Sequence, residues 1–543
     1  MSRDDYFDVN RDEFSELVGE DRIVRLEREL NLDVSPLEVY SALGSGYSFL
    51  LESAEIDVSA FRQVEDGNGA FTGARYSYVG FDPEGVLRLE DREVEYQDLS
   101  TGEVRRNWGD VVVDGEVQEG YDSLDAVRAT FPDREVVNPS EEDSYLGGYV
   151  GFLAYDVVND VWLNRESPGE RKDAVFVLSN STVVFDHSSG SVKAVLTPTV
   201  SGDSRNRYDE LVKRVREVEN TVEDYSLEDS IDEEFELIDA RSGDRAEYMH
   251  AVEETREHII DGDIYQAVIS RERRVECRGD PREFYSKLRD VNPSPYMFLL
   301  DFDGFSVVGS SPETLLGVHG GEVTTNPIAG TCPRGETAVE DRRLAGEMLS
   351  DEKELSEHVM LVDLGRNDVR RVADSGTVTV DDFMSVVQYS HVQHIESTVS
   401  GDLRGGKDAF DATRSIFPAG TLSGAPKLRA MKIIDDLEPS PRGVYGGGVG
   451  YYSYGENGID CDLAIAIRTA TFEELGDTRE LSVRAGAGVV ADSVPESEFE
   501  ETEKKMDALI QTLEQLTEEQ EEASGTSDGS VTEAQGSSEG GED

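Results

Sequence analysis

The sequence has 543 residues, and its 116 Asp and Glu against 51 Lys and Arg give a formal net charge of −65 at pH 7. This charge excludes electrostatic binding to nucleic acid, because neutralising phosphates requires clustered Lys and Arg. With 37% hydrophobic residues, 20 Phe and 21 Tyr, the chain is not a wholly disordered acidic protein. The acidity instead indicates a surface adapted to concentrated salt, where a Debye length of about 3 Å screens self-repulsion. An acidic interaction protein is the alternative explanation.

The N-terminal sequence carries no targeting signal that we recognise. Met1 is followed by Ser-Arg-Asp-Asp-Tyr, without the apolar stretch of a signal peptide. No segment approaches the roughly 18 apolar residues of a membrane span. We therefore expect a soluble, cytoplasmic protein that does not bind membranes.

The first half of the chain is mostly β-structure by pattern. Segments 47–51, 174–178 and 181–185 are apolar or alternating and are bounded by Gly, Asp and Ser, as strands are. A charged stretch with helical periodicity follows, and an acidic segment after it is typical of an exposed connection. From residue 244 onward helices and strands mix. After Leu516 the chain becomes rich in Glu, Ser and Gly and is expected to be disordered.

These patterns predict five parts. They are an N-terminal extension (1–40), a β-rich region (41–202), a helix with an acidic linker (203–243), a mixed α/β domain (244–515) and an acidic tail (516–543).

Two pairs of glutamates have three-residue spacing within predicted helices. They are Glu354 with Glu357, and Glu498 with Glu501. This spacing places each pair on one helix face. Two such faces brought together would offer Mg²⁺ the hard oxygen ligands that it prefers. In a chain this acidic, solvated surface glutamates are the simpler explanation.

Glycine-rich stretches at 446–450 and 485–488 allow a close backbone approach to an anionic ligand. Neither stretch fits a dinucleotide-binding fingerprint or a P-loop. Glycine at sheet bends or in close packing is the simpler explanation for both. The three cysteines, Cys277, Cys332 and Cys461, show no pairing typical of a disulfide framework or a zinc site.

Several long motifs, read in order, resemble those of the chorismate-utilising enzymes, and above all their anthranilate synthase component I branch. The resemblance covers roughly residues 50–505. It is carried by Asn292-Pro-Ser-Pro-Tyr-Met-Phe, Gly309-Ser-Ser-Pro-Glu, Pro327-Ile-Ala-Gly-Thr, the segment from Asp351 to Asp368, Gly420-Thr-Leu-Ser-Gly-Ala-Pro-Lys, Ala466-Ile-Arg-Thr and Ala485-Gly-Ala-Gly-Val-Val-Ala-Asp-Ser.

The resemblance implies an α/β (α+β) fold in which two large antiparallel sheets pack as a sandwich with helices outside. It implies Mg²⁺-dependent conversion of chorismate and ammonia to anthranilate and pyruvate in tryptophan biosynthesis. Aminodeoxychorismate synthesis is the nearest alternative, and a non-catalytic tryptophan-binding regulatory subunit is another.

Site residues follow from the same resemblance. Glu313 matches a general acid, His394 a residue linked to pyruvate loss, and Thr421 a further active-site position. Arg468 matches the carboxylate-binding arginine, suited to a bidentate contact. The other matched chorismate contacts are Gly330, Thr331, Tyr445, Gly486, Ala487 and Gly488. Glu357 and Glu501 match Mg²⁺ ligands, and Glu354 and Glu498 are expected to hold metal-bound water.

Two positions separate the chemistries of this family. Gln266 stands where isochorismate and salicylate synthases carry a water-activating lysine, and Ala329 stands where many aminodeoxychorismate synthases carry a nucleophilic lysine. Ammonia is therefore expected to add directly. None of the three cysteines sits in a turn suited to a glutaminase nucleophile, so a separate glutamine amidotransferase subunit is implied.

The resemblance also predicts feedback inhibition by tryptophan. Ser53 lies in Leu50-Leu-Glu-Ser-Ala-Glu, which resembles the tryptophan-binding element of the family, and Pro295, Tyr296 and Met297 match residues that line the same site. The sequence departs from the family at Cys332, where an arginine is usual. Arg334 is the candidate to replace that charge.

Overall fold

The computed structural model describes residues 6–19, 22–44, 46–54, 75–137, 145–165, 172–198, 200, 203–225, 235–388, 392–455 and 458–527. The strands are β1 (Arg22–Val24), β2 (Leu26–Leu30), β3 (Ser48–Glu52), β4 (Tyr76–Gly80), β5 (Gly85–Glu90), β6 (Glu93–Asp98), β7 (Val104–Arg105), β8 (Val112–Val113), β9 (Glu116–Val117), β10 (Glu135–Val137), β11 (Gly148–Leu153), β12 (Ala174–Ser179), β13 (Ser181–Asp186), β14 (Ser191–Leu196), β15 (Glu236–Ser242), β16 (Gln266–Arg278), β17 (Tyr296–Asp301), β18 (Phe305–Ser311), β19 (Thr314–His319), β20 (Glu322–Thr325), β21 (Ile328–Pro333), β22 (Thr379–Gln388), β23 (Val392–Asp402), β24 (Gly424–Ala425), β25 (Gly448–Gly455), β26 (Gly458–Ile465), β27 (Thr469–Leu475) and β28 (Thr478–Val489).

The α-helices of the described residues are α1 (Arg11–Leu17), α2 (Pro36–Leu43), α3 (Ser123–Thr130), α4 (Ser204–Glu223), α5 (Arg245–Ile260), α6 (Pro281–Val291), α7 (Ala338–Met348), α8 (Glu352–Val372), α9 (Ala409–Ile416), α10 (Lys427–Leu437) and α11 (Pro495–Ser527). Short helical turns lie at Tyr155–Val157, Asn159–Leu163 and Gly420–Leu422. None of the described helices is long and apolar enough to cross a membrane.

Two large antiparallel sheets form the centre of the molecule. The 14-stranded sheet has the order β21-β23-β20-β19-β26-β25-β11-β12-β5-β6-β9-β8, with β22 beside β23 and β7 beside β6. The 12-stranded sheet has the order β15-β16-β28-β27-β18-β17-β3-β4-β13-β14-β2, with β24 beside β16. A separate parallel pair joins β1 to β10.

Side-chain alternation along the strands explains why the two sheets stack. In β17, Phe298 and Leu300 belong to a core shared with β11 and β25 of the other sheet, whereas Leu299 faces the opposite core. In β25, Val449 joins the shared core and Tyr452 faces away from it. Period-two alternation therefore buries both faces of each sheet, one against the other sheet and one under helices. The expected sandwich with helices outside is confirmed.

Most elements predicted from the pattern are confirmed. The strands expected near residues 47, 174 and 181 are β3, β12 and β13, and the helices expected after residues 203 and 244 are α4 and α5. Both glutamate pairs lie in helices, α8 and α11. Helix α11 continues to Ser527, beyond the point where the sequence predicts the acidic tail to begin, and residues 528–543 lie outside the described residues.

The glycine-rich stretch 446–450 serves close packing, the simpler of its two explanations. A Cβ on Gly447 would lie 2.1 Å from the Leu153 carbonyl oxygen, and one on Gly450 would lie 2.0 Å from that of Asp462. No side chain fits between these strands, so glycine is required for β25 to approach its neighbours.

Candidate active site

Glu313 is a buried carboxyl in the connection between β18 and β19. Its carbonyl oxygen accepts a hydrogen bond from the Ile465 N–H at 2.9 Å, and its own N–H donates to Ser311 Oγ at 3.3 Å. Its side-chain Oε1 accepts a hydrogen bond from Thr421 Oγ1 at 3.0 Å. Backbone and side chain are therefore both held in place, and only 8% of the residue is exposed.

The environment of Glu313 favours its protonated form. The pKa of Glu313 is raised to about 8, chiefly by burial and also by the charge of Glu396. The hydrogen bond from Thr421 and the charges of Lys505 and Arg468 lower the pKa. A carboxyl that keeps its proton at neutral pH beside two cations can act as a general acid toward an anionic substrate.

His394 lies on β23 directly opposite Thr331 of β21. Its Nδ1 is 2.9 Å from Thr331 Oγ1 and 3.3 Å from the Gly330 carbonyl oxygen. A carbonyl oxygen only accepts, so Nδ1 carries the proton in the contact with Gly330. Burial lowers the pKa of His394 to about 4, so the ring is neutral and Nε2 holds the lone pair. A neutral imidazole in this tautomer can take up a proton through Nε2.

Gly330 brings the backbone of β21 close to helix α8. Its φ of +70° lies in the left-handed region that glycine adopts without strain, and the register of β21 against β23 shifts here. A Cβ at this position would lie 3.3 Å from Glu354 Oε2. The strand that carries Thr331 is thereby placed next to the first glutamate pair.

The 485–488 stretch lies in β28, which pairs with β16, and its glycines leave the surface of the strand free of large side chains. Gly486 pairs with Ser270, and Gly488 pairs with Val268. A Cβ on Gly486 would lie 3.0 Å from the Tyr445 hydroxyl, and one on Gly488 would lie 2.6 Å from Gln266 Nε2. The glycines therefore leave room for these two buried side chains above the strand.

Arg468 follows β26 with a φ of +49° and is partly exposed. Its carbonyl oxygen accepts from the Ser310 N–H at 3.1 Å, and its Nη1 lies 3.5 Å from Asn292 Oδ1. The charge of Arg468 lowers the pKa of both Glu313 and His394. The guanidinium is thus within electrostatic reach of both residues.

Lys505 is a site residue that the sequence reasoning missed. Its Nζ donates to the Gly486 carbonyl oxygen at 2.9 Å and forms an ion pair with Glu501 at 2.8 Å. Its charge lowers the pKa of Glu313 and Tyr445. The four-residue spacing from Glu501, which puts both on one helix face, was the available signal.

The two glutamate pairs face one another. Burial raises the pKa of Glu354, and the charges of Glu357 and Glu501 raise it further. Burial also raises the pKa of Glu498, again with a contribution from Glu501. Carboxylates of α8 and α11 are therefore close enough to repel one another.

This arrangement fits Mg²⁺ by its chemistry. Carboxylate oxygens are the ligands that this ion prefers, and a cation between the helices would relieve the repulsion. Across the described part of the chain, no three His, Cys, Asp or Glu side chains are gathered closely enough to form a ready-made metal site. The glutamates thus supply the donor atoms without a closed coordination shell.

Three of the four residues predicted to bind tryptophan line a cavity between the two sheets. Pro295, Tyr296 and Met297 line a cavity together with Tyr451 and other side chains of the 14-stranded sheet. Ser53 follows β3, which pairs with β17. Ser53 is buried, its N–H donates to a neighbouring serine hydroxyl at 3.2 Å, and its Oγ makes no hydrogen bond to any described residue.

A hydrogen bond joins this cavity to the connection that carries Glu313. Tyr296, which lines the cavity, has its hydroxyl 2.7 Å from Thr314 Oγ1. Thr314 is the next residue after Glu313. Tyr296 therefore touches both the cavity and the neighbour of the buried acid.

The surroundings of Cys332 do not replace the missing arginine. Arg334 binds Asp341 through two hydrogen bonds, Nε to Oδ1 at 3.1 Å and Nη2 to Oδ2 at 2.9 Å. Its charge is therefore committed to a carboxylate of α7. Lys505, on the other side of the site, supplies a cation that the sequence comparison of motifs did not anticipate.

Comparison with known proteins shows strong similarity. The family model described as chorismate binding enzyme matches residues 117–511. The chain is 50% identical over 533 residues to "Anthranilate synthase component 1 2" of Haloarcula marismortui, covering 94% of this chain and 96% of that protein.

Solved structures agree. The crystal structure of anthranilate synthase component I from Streptococcus pneumoniae matches with a TM-score of 0.67 and 32% identity, covering 84% of this chain and 97% of that one. The menaquinone-specific isochorismate synthase of Escherichia coli matches with a TM-score of 0.64 and 17% identity, covering 91% and 94%. The second match supports the fold alone.

Proposed function

The chain belongs to the chorismate-binding enzymes and, within them, to the anthranilate synthase component 1 proteins, and from this premise we propose that it converts chorismate and ammonia to anthranilate, pyruvate and water in tryptophan biosynthesis. The observation that carries the mechanism is the buried acid Glu313, hydrogen-bonded to Thr421 and exposed to the charges of Arg468 and Lys505. The two cations suit the two carboxylates of chorismate, and the buried acid suits the departure of its hydroxyl group.

In the first step ammonia adds at C2 of chorismate and the C4 hydroxyl departs as water. Glu313 gives its proton to the leaving oxygen, and Thr421 holds the carboxyl in position. Arg468 and Lys505 bind substrate carboxylates, with Arg468 offering a bidentate contact. Tyr445 and the backbone of Gly330, Thr331 and 486–488 complete the binding surface.

In the second step the C2 proton and the enolpyruvyl group are lost, which leaves the aromatic ring and pyruvate. His394 is the residue assigned to this step. Its neutral ring, with the proton on Nδ1, presents Nε2 as a base. With a pKa of about 4 the ring is uncharged at neutral pH, so it adds no positive charge that would repel Arg468.

Glu357 and Glu501 would hold Mg²⁺, and Glu354 and Glu498 would orient its water ligands. When bound, the ion supplies positive charge that neutralises a substrate carboxylate. Burial and the charge of Glu501 raise the pKa of both Glu354 and Glu498, which supports this assignment because a bound cation would offset that charge.

The choice of ammonia over water rests on Gln266. Its amide cannot act as a base, and it packs over Gly488 within the site. Ala329 offers no amine, which removes a covalent route to aminodeoxychorismate. Aromatisation to anthranilate is the remaining course.

A glutamine amidotransferase, component II, would supply the ammonia. Cys277 and Cys461 are buried in strands, and burial together with the Asp341 charge raises the pKa of Cys332. The surroundings of Cys332 and Cys461 raise the thiol pKa, whereas nucleophilic attack needs a lowered one.

Tryptophan would inhibit by binding between the sheets at Ser53, Pro295, Tyr296 and Met297. The Ser53 hydroxyl, which has no hydrogen-bond partner among the described residues, can bond to such a ligand. Binding can inhibit only by favouring a conformation less competent in catalysis. The Tyr296–Thr314 hydrogen bond supports a route from this cavity to Glu313.

The test is to incubate the protein with chorismate, Mg²⁺ and ammonium in molar KCl, with and without tryptophan, and to identify the product by fluorescence and mass. We expect anthranilate, and less of it with tryptophan. Aminodeoxychorismate as the only product would overturn the proposal, and so would the absence of turnover in a folded protein that binds tryptophan.

A further inference from the structure

Lys427 and Asp368 form a buried ion pair that the mechanism above does not use. Lys427 begins α10 and is 6% exposed, and Asp368 lies on α8 and is 5% exposed. Lys427 Nζ donates to Asp368 Oδ2 at 2.5 Å and to the Ile416 carbonyl oxygen at 2.7 Å. Burying both charges is costly in free energy, so stabilisation of the fold does not by itself explain why the pair is present.

The contact of Lys427 with Ile416 ties together the two ends of one loop. Ile416 ends α9 and Lys427 begins α10, so a single ammonium group ties the residue before the loop 417–426 to the residue after it. Thr421, the hydrogen-bond donor to Glu313, lies in the middle of this loop. The ammonium group thus fixes the span that the loop must bridge.

Asp368 fixes the position of that loop relative to helix α8. Asp368 of the pair and Ile416 line the same cavity as Glu313 and Thr421. Between them Gly420 lies so close to α8 that an added Cβ would be 3.0 Å from Leu364 Cδ1. Helix α8 also carries Glu354 and Glu357. One helix therefore supports both the glutamates and the loop of Thr421.

We propose that the Lys427–Asp368 pair is a positioning element that holds Thr421 at hydrogen-bonding distance from Glu313. It touches neither the buried acid nor the predicted substrate contacts, and it acts through the loop 417–426. This inference rests on the proposed role of Glu313 as the general acid.

The experiment replaces both charges together, as K427M/D368L. Removing one partner would leave an uncompensated buried charge, whereas an apolar replacement of both is often tolerated. The matched control is R75M/D186L, which removes another ion pair (2.8 Å) whose residues do not line this cavity. T421V is the reference for loss of the catalytic contact.

We expect K427M/D368L to lower kcat by about tenfold, the scale of one lost hydrogen bond, with KM for chorismate little changed. The alkaline limb of its pH–rate profile should move upward as in T421V, because Glu313 then lacks a hydrogen bond to its ionised form. The other charged groups that act on Glu313, namely Glu396, Lys505 and Arg468, remain. In the T421V background the pair replacement should add nothing further, and R75M/D186L should leave the profile unchanged.

A drop in kcat with an unmoved alkaline limb would overturn the inference, as would effects of T421V and K427M/D368L that simply add. Crystal structures give a readout that does not depend on turnover. The distance from Thr421 Oγ1 to Glu313 Oε1 should exceed hydrogen-bonding range in K427M/D368L, and an unchanged distance would also overturn the inference. If the wild-type protein makes no anthranilate while the distance lengthens in the variant, the proposed function fails and the positioning role stands.

Discussion

Thr421 Oγ1 donates a 3.0 Å hydrogen bond to Glu313 Oε1, while the charge of Glu396 acts on the same carboxyl in the opposite sense. Glu313 works as an acid only while protonated, so kcat/KM should fall as pH rises through its pKa of about 8. T421V removes a contact that stabilises the ionised form and should move this limb upward. E396Q removes a negative charge and should move it downward.

The measurement is the pH dependence of kcat/KM for both variants with ammonium as the nucleophile, at constant free ammonia. Shifts in the same direction would contradict the assignment of the alkaline limb to Glu313. E347Q on the exposed face of α7 is a suitable control for the loss of a carboxylate elsewhere.

Glu313 should also make the protein less stable at high pH. Its pKa in the folded protein, about 8, lies above the roughly 4.3 of an unfolded chain. The stability it contributes is therefore complete below the unfolded value and is lost as pH rises through the folded one. E313Q does not titrate, so its free energy of unfolding relative to wild type should rise between pH 5 and pH 9, by at most about 5 kcal/mol.

Denaturant unfolding at fixed KCl checks this for E313Q and wild type. A constant difference between the two proteins across this pH range would mean that Glu313 is ionised in the folded state. The same variant should lose anthranilate synthesis by about 10²–10⁴-fold, the usual contribution of a general acid.

The glutamates of α8 and α11 should control the affinity for Mg²⁺. E501Q and E354Q remove donor oxygens from the facing pairs, and we expect Mg²⁺ affinity to fall by at least about 10–100-fold. Mn²⁺ binding followed by electron paramagnetic resonance reports affinity without turnover. E500Q, on the exposed side of α11, is the matched control. An equal loss of Mg²⁺ affinity in all three variants would contradict the assignment.

Gln266 should decide between ammonia and water as the nucleophile. Q266K introduces an amine over Gly488 that can activate water, so some isochorismate should form beside anthranilate. Q266M keeps similar length without a base and should form none. Product analysis by chromatography decides, and a folded Q266K protein that forms no isochorismate counts against the role given to Gln266.

Ser53 and Tyr296 should separate tryptophan binding from inhibition. S53A removes the hydroxyl that has no partner among the described residues, and tryptophan affinity measured by calorimetry should fall by about tenfold, the value of one hydrogen bond. Y296F keeps the ring in the cavity and loses the contact with Thr314. Tryptophan should still bind Y296F but inhibit it less, and full inhibition of Y296F would exclude this route.

Local patterns in the sequence were sufficient to predict individual strands and helices, but not which distant segments pair with one another. Alternation along β17 and three-residue spacing in α8 follow from backbone geometry alone. The pairing of β3 with β17 and of Lys427 with Asp368 joins residues far apart in the chain, and nothing in either segment specifies the other.

The same distinction holds for the site residues: some were predictable from local motifs, and others only from contacts between distant segments. The motifs that resemble the chorismate-utilising enzymes named Glu313 and Thr421, and the structure shows the hydrogen bond between them. Lys505 went unnoticed because a lysine after two glutamates on an acidic helix has the same pattern as an ordinary surface ion pair. Only the approach of β28, which puts the Gly486 carbonyl beside its ammonium group, distinguishes it.

The position of β3 in the middle of the 12-stranded sheet has a consequence for how this protein can change. Strands β4, β13, β14 and β2 continue the sheet on one side of β3, and β17 and β18 lead toward Glu313 on the other. Separating β3 and the strands that follow it on one side from β17 and β18 on the other would expose unpaired strand edges in both fragments. A lineage cannot therefore discard its proposed tryptophan control by deleting a module, and release from inhibition must come through point substitutions.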